Sequence, residues 1–159
     1  MNSRICILSM LILSCTQQKQ QPTTLSAAEK ATLTQEVRQT LDNYYADIRE
    51  HGLMAEFAYL DSSVDFYWVP PGYTAAISYD SVAAVLRQNA PMFTSINNSF
   101  DTLRISIINT EWASYTGRLH SIMVDTSGKE SSFTLVETGL LVKQQNGWKL
   151  RSGQTALIP

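Results

Sequence analysis

The second half of the chain is dominated by alternating apolar and polar residues with a period of two. The pattern predicts four strands, at 100–109, 112–125, 131–144 and 148–157. Such alternation is typical of strands whose two faces meet different surroundings. Asn146-Gly147, before the last strand, is a dipeptide that strongly favours a tight hairpin. Because every connection is too short for a crossover, the sequence predicts an antiparallel sheet.

The residues before this sheet have helical spacing at their start. Apolar residues recur every three or four positions from Leu33 to Ile48, which predicts an amphipathic helix with one buried face. Ser26 and Glu29 fit a capping box at the start of that helix. Gly52 ends it, because glycine reaches the left-handed region at little cost.

Three further elements are predicted between this helix and the sheet. A short helix at 53–60 is followed by a strand at 64–69, which Pro70-Pro71-Gly72 ends, and by a helix at 79–89. The inward residues of the short helix would be Leu53, Phe57 and Leu60. Three helices followed by a long antiparallel sheet predict an α+β fold with the helices packed against the sheet.

The first fourteen residues have the pattern of an export signal, with Arg4 ahead of an apolar run at 5–13. That run is shorter than the about 20 residues that cross a bilayer. Ile12-Leu13-Ser14-Cys15 resembles the lipobox of bacterial lipoproteins, in which the cysteine is acylated and becomes the new N-terminus. The alternative is an ordinary secretory signal with an incidental cysteine.

These features divide the chain into a signal peptide (1–14), a lipidated Cys15 with a polar, flexible tether (15–25) and one domain (26–159). The expected location is the cell envelope, where lipid on Cys15 makes the membrane a partner. Thr16 in place of aspartate resembles the Gram-negative pattern for the outer membrane.

Composition excludes several kinds of partner and site. Arg4 leaves with the signal, so 11 basic residues face 14 acidic ones, a net charge of -3 that argues against nucleic-acid binding. Cys6 is removed and Cys15 would be lipidated, which leaves no thiol for a disulfide or a nucleophile. The two histidines, His51 and His120, are far apart in sequence, so no zinc site is expected, and no cofactor is indicated.

The order of elements resembles the nuclear transport factor 2-like superfamily and, within it, the SnoaL-like, ketosteroid-isomerase-like domains, from about Thr34 to Ala156. The segments that carry the resemblance are YYADI (44–48), FAYLD (57–61), WVPPGY (68–73), SYDSVAAVL (78–86), TGLLVK (138–143) and NGWKL (146–150). The resemblance implies a strongly curved sheet that wraps around the helices as a cone with one pocket. It also implies frequent dimers through the outer face of the sheet.

A homodimer through the convex sheet face is also expected from the residues themselves. From Leu135 to Val142, apolar residues fall on both faces of the strand. A sheet with one face in water would alternate more cleanly. The alternative is that one or two apolar residues are simply tolerated at the surface.

The resemblance implies that an enzyme of this kind would use an acid or base inside the cone. The candidates are Asp65, His120 and Glu137, with Tyr45, Tyr67 and Tyr115 as hydrogen-bond donors. Alternation favours a solvent-facing Asp65 and a His120 on the outer face of the sheet. Glu137 lies within an apolar strand, where a carboxylate must be paired, with Arg118 as the expected partner, or functional.

The last strand carries Ser152 and Gln154 where many SnoaL-like relatives have histidines or an acid, which weakens the case for an enzyme. The expected pocket lining is Tyr45, Trp68, Phe93, Trp112, Tyr115, Ser152 and Gln154. Such a wall suits a small apolar or aromatic ligand. The favoured interpretation is a lipid-anchored binding or accessory domain, and the alternative is a hydratase- or isomerase-like enzyme.

Overall fold

The structure is a computed structural model that describes residues 24–158; the predicted signal, Cys15 and most of the tether lie outside this range. Helix α1 spans Ala27–His51 and buries the predicted apolar face. The capping box is confirmed: the Ser26 hydroxyl accepts from the Glu29 amide at 3.2 Å, and the Glu29 carboxylate accepts from the Ser26 amide at 2.8 Å. Gly52 ends the helix with a φ of 79°.

The short elements after α1 differ from the prediction. Leu53–Ala58 is a 3-10 helix, and strand β1 is only Tyr67–Val69. The predicted start of that strand at Val64 is wrong, because the Asp61 carboxylate accepts from the Ser63 amide and the Ser63 carbonyl accepts from the Phe66 amide. These bonds turn the backbone and leave Val64 fully exposed.

Three elements lead from β1 into the main sheet, and the last of them is a short 3-10 helix at Ala90–Met92. Strand β2, at Ile77–Ser78, is a short strand that the sequence pattern did not indicate. Helix α2 spans Tyr79–Asn89, as predicted, and Ser78 caps its start. No helix among the described residues is long and apolar enough to cross a membrane.

The remaining strands are β3 (Phe93–Ile107), β4 (Trp112–Asp125), β5 (Glu130–Gln144) and β6 (Gly147–Leu157). The sheet order is β2-β1-β6-β5-β4-β3, antiparallel throughout except where β1 runs parallel to β6. Strand β3 begins seven residues before the predicted start, because irregularities near Phe93 and Phe100 break its alternation.

The curved, unclosed sheet places its concave face against the helices, which confirms the α+β fold. Tyr115, Leu119 and Leu141 of this face join the core with the apolar side of α1. Trp148 and Leu150, the two apolar residues after the Asn-Gly turn, are each 3% exposed. The convex face carries Val136, which is 36% exposed, and its coverage by a second subunit stays a prediction.

Candidate active site

A cavity of about 300 Å³ lies between the concave face of the sheet, helix α1, the 3-10 helix Leu53–Ala58, helix α2 and the Pro70-Pro71 turn. This volume is at the lower end of the range for small-molecule sites. Most of its wall is apolar. The residues with polar groups on the wall are Tyr44, Tyr45, Glu56, Trp68, Asn89, Asn98, Ser121, Glu137 and Thr155.

Glu137, on β5, lies at the centre of a hydrogen-bond network in this cavity. Its Oε1 accepts from the hydroxyls of Tyr45 at 2.7 Å and Tyr115 at 2.6 Å. Its Oε2 accepts from the Thr155 hydroxyl at 2.9 Å, and the Trp68 indole donates to Thr155 Oγ1 at 3.1 Å. Burial raises the pKa of Glu137, although the three hydroxyl donors oppose that rise.

Two glycines make room for the rings of this network. A Cβ on Gly139 would lie 2.5 Å from the Tyr115 ring, and one on Gly153 would lie 2.6 Å from the Trp68 ring. Because real Cβ contacts are not that short, any larger residue would displace a ring. The TGLL segment of β5 and the SGQ segment of β6 therefore place the aromatic donors against the sheet.

Glu56 brings a second carboxyl group to the same cavity. The Tyr44 hydroxyl donates to its Oε2 at 3.0 Å, while Oε1 accepts no hydrogen bond from residues 24–158. Burial raises the pKa of Glu56 to about 7; the bond from Tyr44 opposes this rise, and the charge of Glu137 adds to it. Glu56 can therefore take up and release a proton near neutral pH.

Glu56 was not among the predicted site residues, because the inward face of the short helix at 53–60 was assigned with α-helical spacing. In that geometry the inward face contains Leu53, Phe57 and Leu60. In a 3-10 helix, side chains three residues apart lie directly above one another. Leu53 and Glu56 accordingly both face the cavity. The only sequence feature that could have indicated a 3-10 helix is the Gly52-Leu53 junction, where a new helix starts directly after the end of α1.

The tyrosines around the two carboxyl groups stay protonated. Burial raises the pKa values of Tyr44, Tyr45 and Tyr115 well above their ordinary value. Their hydroxyls therefore remain donors at any physiological pH. Glu137 accepts hydrogen bonds from two of these tyrosines and from Thr155, so it is suited to fixing the geometry of the site. Glu56 has one oxygen that accepts no hydrogen bond from residues 24–158 and is available for chemistry.

The structure places the predicted pocket residues in three groups. Tyr45, Trp68 and Phe93 line the cavity. Tyr115 reaches it through its bond to Glu137. Trp112, Ser152 and Gln154 do not line it.

The last group was misplaced for geometric reasons. Trp112 pairs with Val142 and lies on the convex face, where the Arg151 guanidinium is 5.8 Å from its ring centroid. A bulge in β6 leaves Arg151 out of register. The extra residue reverses the alternation after Leu150, so that Ser152 and Gln154 turn outward and Thr155 turns inward.

Two of the three predicted acid–base candidates lie outside the cavity. Asp65 is exposed and forms an ion pair with Arg151. His120 lies on the outer face of β4, with its Nε2 3.5 Å from the Ser132 hydroxyl. Tyr67, one of the suggested donors, is 52% exposed.

The expected ion pair between Glu137 and Arg118 is wrong. The neighbour of Glu137 on β4 is Gly117, so Arg118 lies on the opposite face of the sheet. There the Arg118 side chain is 3.5 Å from the Asp101 carboxylate. The Glu137 carboxylate accepts hydrogen bonds from hydroxyl groups instead of pairing with a cation.

A separate group of possible metal ligands lies at the end of α1. Ligand atoms of Asp47, Glu50 and His51 are within 4.8 Å of one another, and the side chains of Glu50 and His51 are exposed. The Tyr59 hydroxyl donates to Asp47 at 2.5 Å. None of the three residues lines the cavity, so this cluster takes no part in the site.

Comparison with known proteins agrees with this architecture. The profile of a family described as a SnoaL-like domain matches residues 37–157. No curated protein matches the sequence. Among solved structures, a nuclear transport factor 2-like superfamily protein from Salmonella enterica aligns with a TM-score of 0.69 at 15% identity, over 81% of this chain and 93% of that one.

Two further solved structures share the fold. A candidate scytalone dehydratase from Novosphingobium aromaticivorans has a TM-score of 0.72 and 10% identity, over 84% of this chain and 89% of that one. A type 2 hexachlorocyclohexane dehydrochlorinase, LinA, has a TM-score of 0.65 and 12% identity, over 84% and 90%. At these identities the likeness establishes the fold alone.

Proposed function

The chain belongs to the SnoaL-like domain family, and on this premise we propose that it binds a small, mainly apolar molecule and moves a proton on it. The observation that carries the proposal is the presence of two carboxyl groups, Glu56 and Glu137, in one largely apolar cavity. Perturbed pKa values in a cleft are characteristic of catalytic acids and bases.

In the proposed reaction, the Glu56 carboxylate takes a proton from a carbon of the ligand. The electron pair of the broken C–H bond then forms a carbon–carbon double bond. In an isomerisation, an adjacent carbon–carbon double bond of the ligand breaks, and its electron pair takes the proton from Glu56 at the far carbon. In a dehydration, the C–O bond to a neighbouring hydroxyl breaks, and the hydroxyl takes the proton and leaves as water. Glu137 positions Tyr45 and Tyr115. Two of the structural relatives are named for eliminations, which supports this class of reaction.

Binding without turnover is the second candidate function. It is favoured by the mainly apolar wall and by the hydroxyl groups that occupy both oxygens of Glu137. The two functions differ in what they require of Glu56. Turnover depends on its ionised form, whereas binding alone tolerates an amide at that position.

We expect Glu56→Gln to lower kcat/KM by about 100-fold or more, since general base catalysis contributes about 100- to 10,000-fold. A suitable substrate is the aryl β-hydroxy ketone formed from benzaldehyde and acetone, whose dehydration produces an absorbing enone. The wild-type kcat/KM should rise with pH through about 7, because the ionised carboxylate is the base.

Glu50→Gln is the matched control for this experiment, because Glu50 is an exposed glutamate of α1 outside the cavity. It should retain the wild-type rate. Equal activity of Glu56→Gln and Glu50→Gln would refute the role of Glu56. Ligand binding without turnover by the wild type would favour the binding function.

The proposed location of the protein is the cell envelope, with a lipid on Cys15 as the anchor. The support for it is the lipobox-like Ile12-Leu13-Ser14-Cys15 after a short apolar run. Metabolic labelling with a fatty acid should label the wild type and the Cys6→Ser control, and Cys15→Ser should abolish the label. A wild type without label would contradict the anchor.

A further inference from the structure

The charges on the cavity wall restrict what can bind there. Among the described residues that line it, the ionisable groups are carboxyls and phenols, and none is lysine, arginine or histidine. An anionic ligand would lie beside Glu56 and Glu137 with no cation to compensate its charge. Since burying an uncompensated charge is costly, the cavity favours an uncharged ligand.

Two side-chain oxygen atoms of the same wall accept or donate no hydrogen bond within residues 24–158. Asn98 on β3 and Ser121 on β4 are direct neighbours across the two strands. Asn98 Oδ1 and Ser121 Oγ are enclosed, and neither makes a hydrogen bond with the residues described. An unsatisfied buried polar group costs about 1–3 kcal/mol, so such groups are rare and need an explanation.

These two residues lie away from Glu137. Ser121 is four residues along β4 from Gly117, the neighbour of Glu137. At about 3.3 Å per residue this separation is about 13 Å along the sheet. Leu119 and Leu135, which pair with each other, lie between the Gly117–Glu137 pair and Ser121, and both also line the cavity. The concave wall is thus polar at both ends and apolar between them.

We infer that the ligand is an uncharged, mostly apolar molecule with a hydroxyl or another hydrogen-bond donor at the end remote from Glu137, where Asn98 and Ser121 bind it. Asn98 Oδ1 accepts a hydrogen bond from this donor, and the Ser121 hydroxyl forms a second hydrogen bond with the same group of the ligand. This inference rests on the proposed function, because it names the class of molecule on which Glu56 would act.

The test compares three probes by isothermal titration calorimetry: β-naphthol, β-methylnaphthalene and β-naphthoate. The wild type should bind β-naphthol about three- to tenfold more tightly than the methyl compound, in keeping with one added hydrogen bond. It should bind the anionic naphthoate more weakly than either. In Ser121→Ala the preference for the hydroxyl should fall below about twofold.

Ser114→Ala is the matched control, because Ser114 lies on the opposite face of the same strand. It should keep the wild-type preference. Ligand-free Ser121→Ala should also be at least as stable as the wild type, since it removes an unsatisfied hydroxyl. A loss of stability would mean that Ser121 already has a structural partner, and the inference would fail.

The calorimetry separates this inference from the proposed function. Equal affinity of the wild type for β-naphthol and β-methylnaphthalene, or tighter binding of β-naphthoate, would overturn the donor site alone. Failure of all three probes to bind would overturn both proposals. A hydroxyl preference that depends on Ser121, together with full turnover by Glu56→Gln, would support the site at Asn98 and Ser121 and refute the catalytic role of Glu56.

Discussion

Replacing Glu137 with leucine is expected to lower the free energy of unfolding by about 3–5 kcal/mol, because two buried donors and one half-buried donor lose their acceptor. These donors are the hydroxyls of Tyr45, Tyr115 and Thr155. Leucine fills a similar volume but accepts no hydrogen bond. Urea unfolding followed by circular dichroism measures the change.

Glu137→Gln is the control for this substitution. The amide oxygen can still accept from the phenols, and the amide nitrogen can donate to Thr155 Oγ1. Burial raises the pKa of Glu137, so a neutral amide should be no less stable than the carboxylate at about pH 8. A leucine variant as stable as the wild type would contradict the network, and a much less stable glutamine variant would indicate a cationic partner.

The second large effect is a pH dependence of stability that comes from Glu56. Its pKa is about 7 in the folded protein and near 4.5 in the unfolded chain. Because the folded state holds the proton more tightly, the stabilisation is full below about pH 4.5 and is lost as pH rises through about 7. A shift of this size corresponds to about 3 kcal/mol.

Glu56→Gln removes this titrating group. The free energy of unfolding of the variant, relative to that of the wild type, should therefore increase by about 3 kcal/mol between pH 4.5 and 8. Glu50→Gln should follow the wild type across the same range. Denaturant unfolding at several pH values gives the difference directly. Parallel curves for the wild type and Glu56→Gln would show that Glu56 titrates normally in the folded protein.

Local patterns predicted much of the fold. The capping box at Ser26, the bounds of α2 and the bounds of β4 agree with the structure because each depends on neighbouring residues alone. The start of β3 could not be predicted in this way, since irregular pairing with β4 interrupts its alternation. Strand β2 consists of two residues and has no periodicity to detect.

The site was harder to predict than the fold because it depends on small departures from regular geometry. Alternation along β4 correctly separates Tyr115 and Leu119 from His120, and the same rule places Ser121 inside. One bulge at Arg151 reverses the outcome for Ser152 and Gln154. These details follow from tertiary packing and leave little trace in a single sequence.

The carboxyl pKa of Glu56, measured by NMR titration of protein labelled with carbon-13 at the glutamate side chains, tests the central claim most directly. Glu56→Gln assigns the resonance by its loss. The account predicts a midpoint near 7 for Glu56, because the half-buried side chain loses part of its hydration, feels the charge of Glu137 and receives one hydrogen bond, from Tyr44. A midpoint near the ordinary value of 4.5 would contradict the assignment of Glu56 as the acid–base group of the cavity.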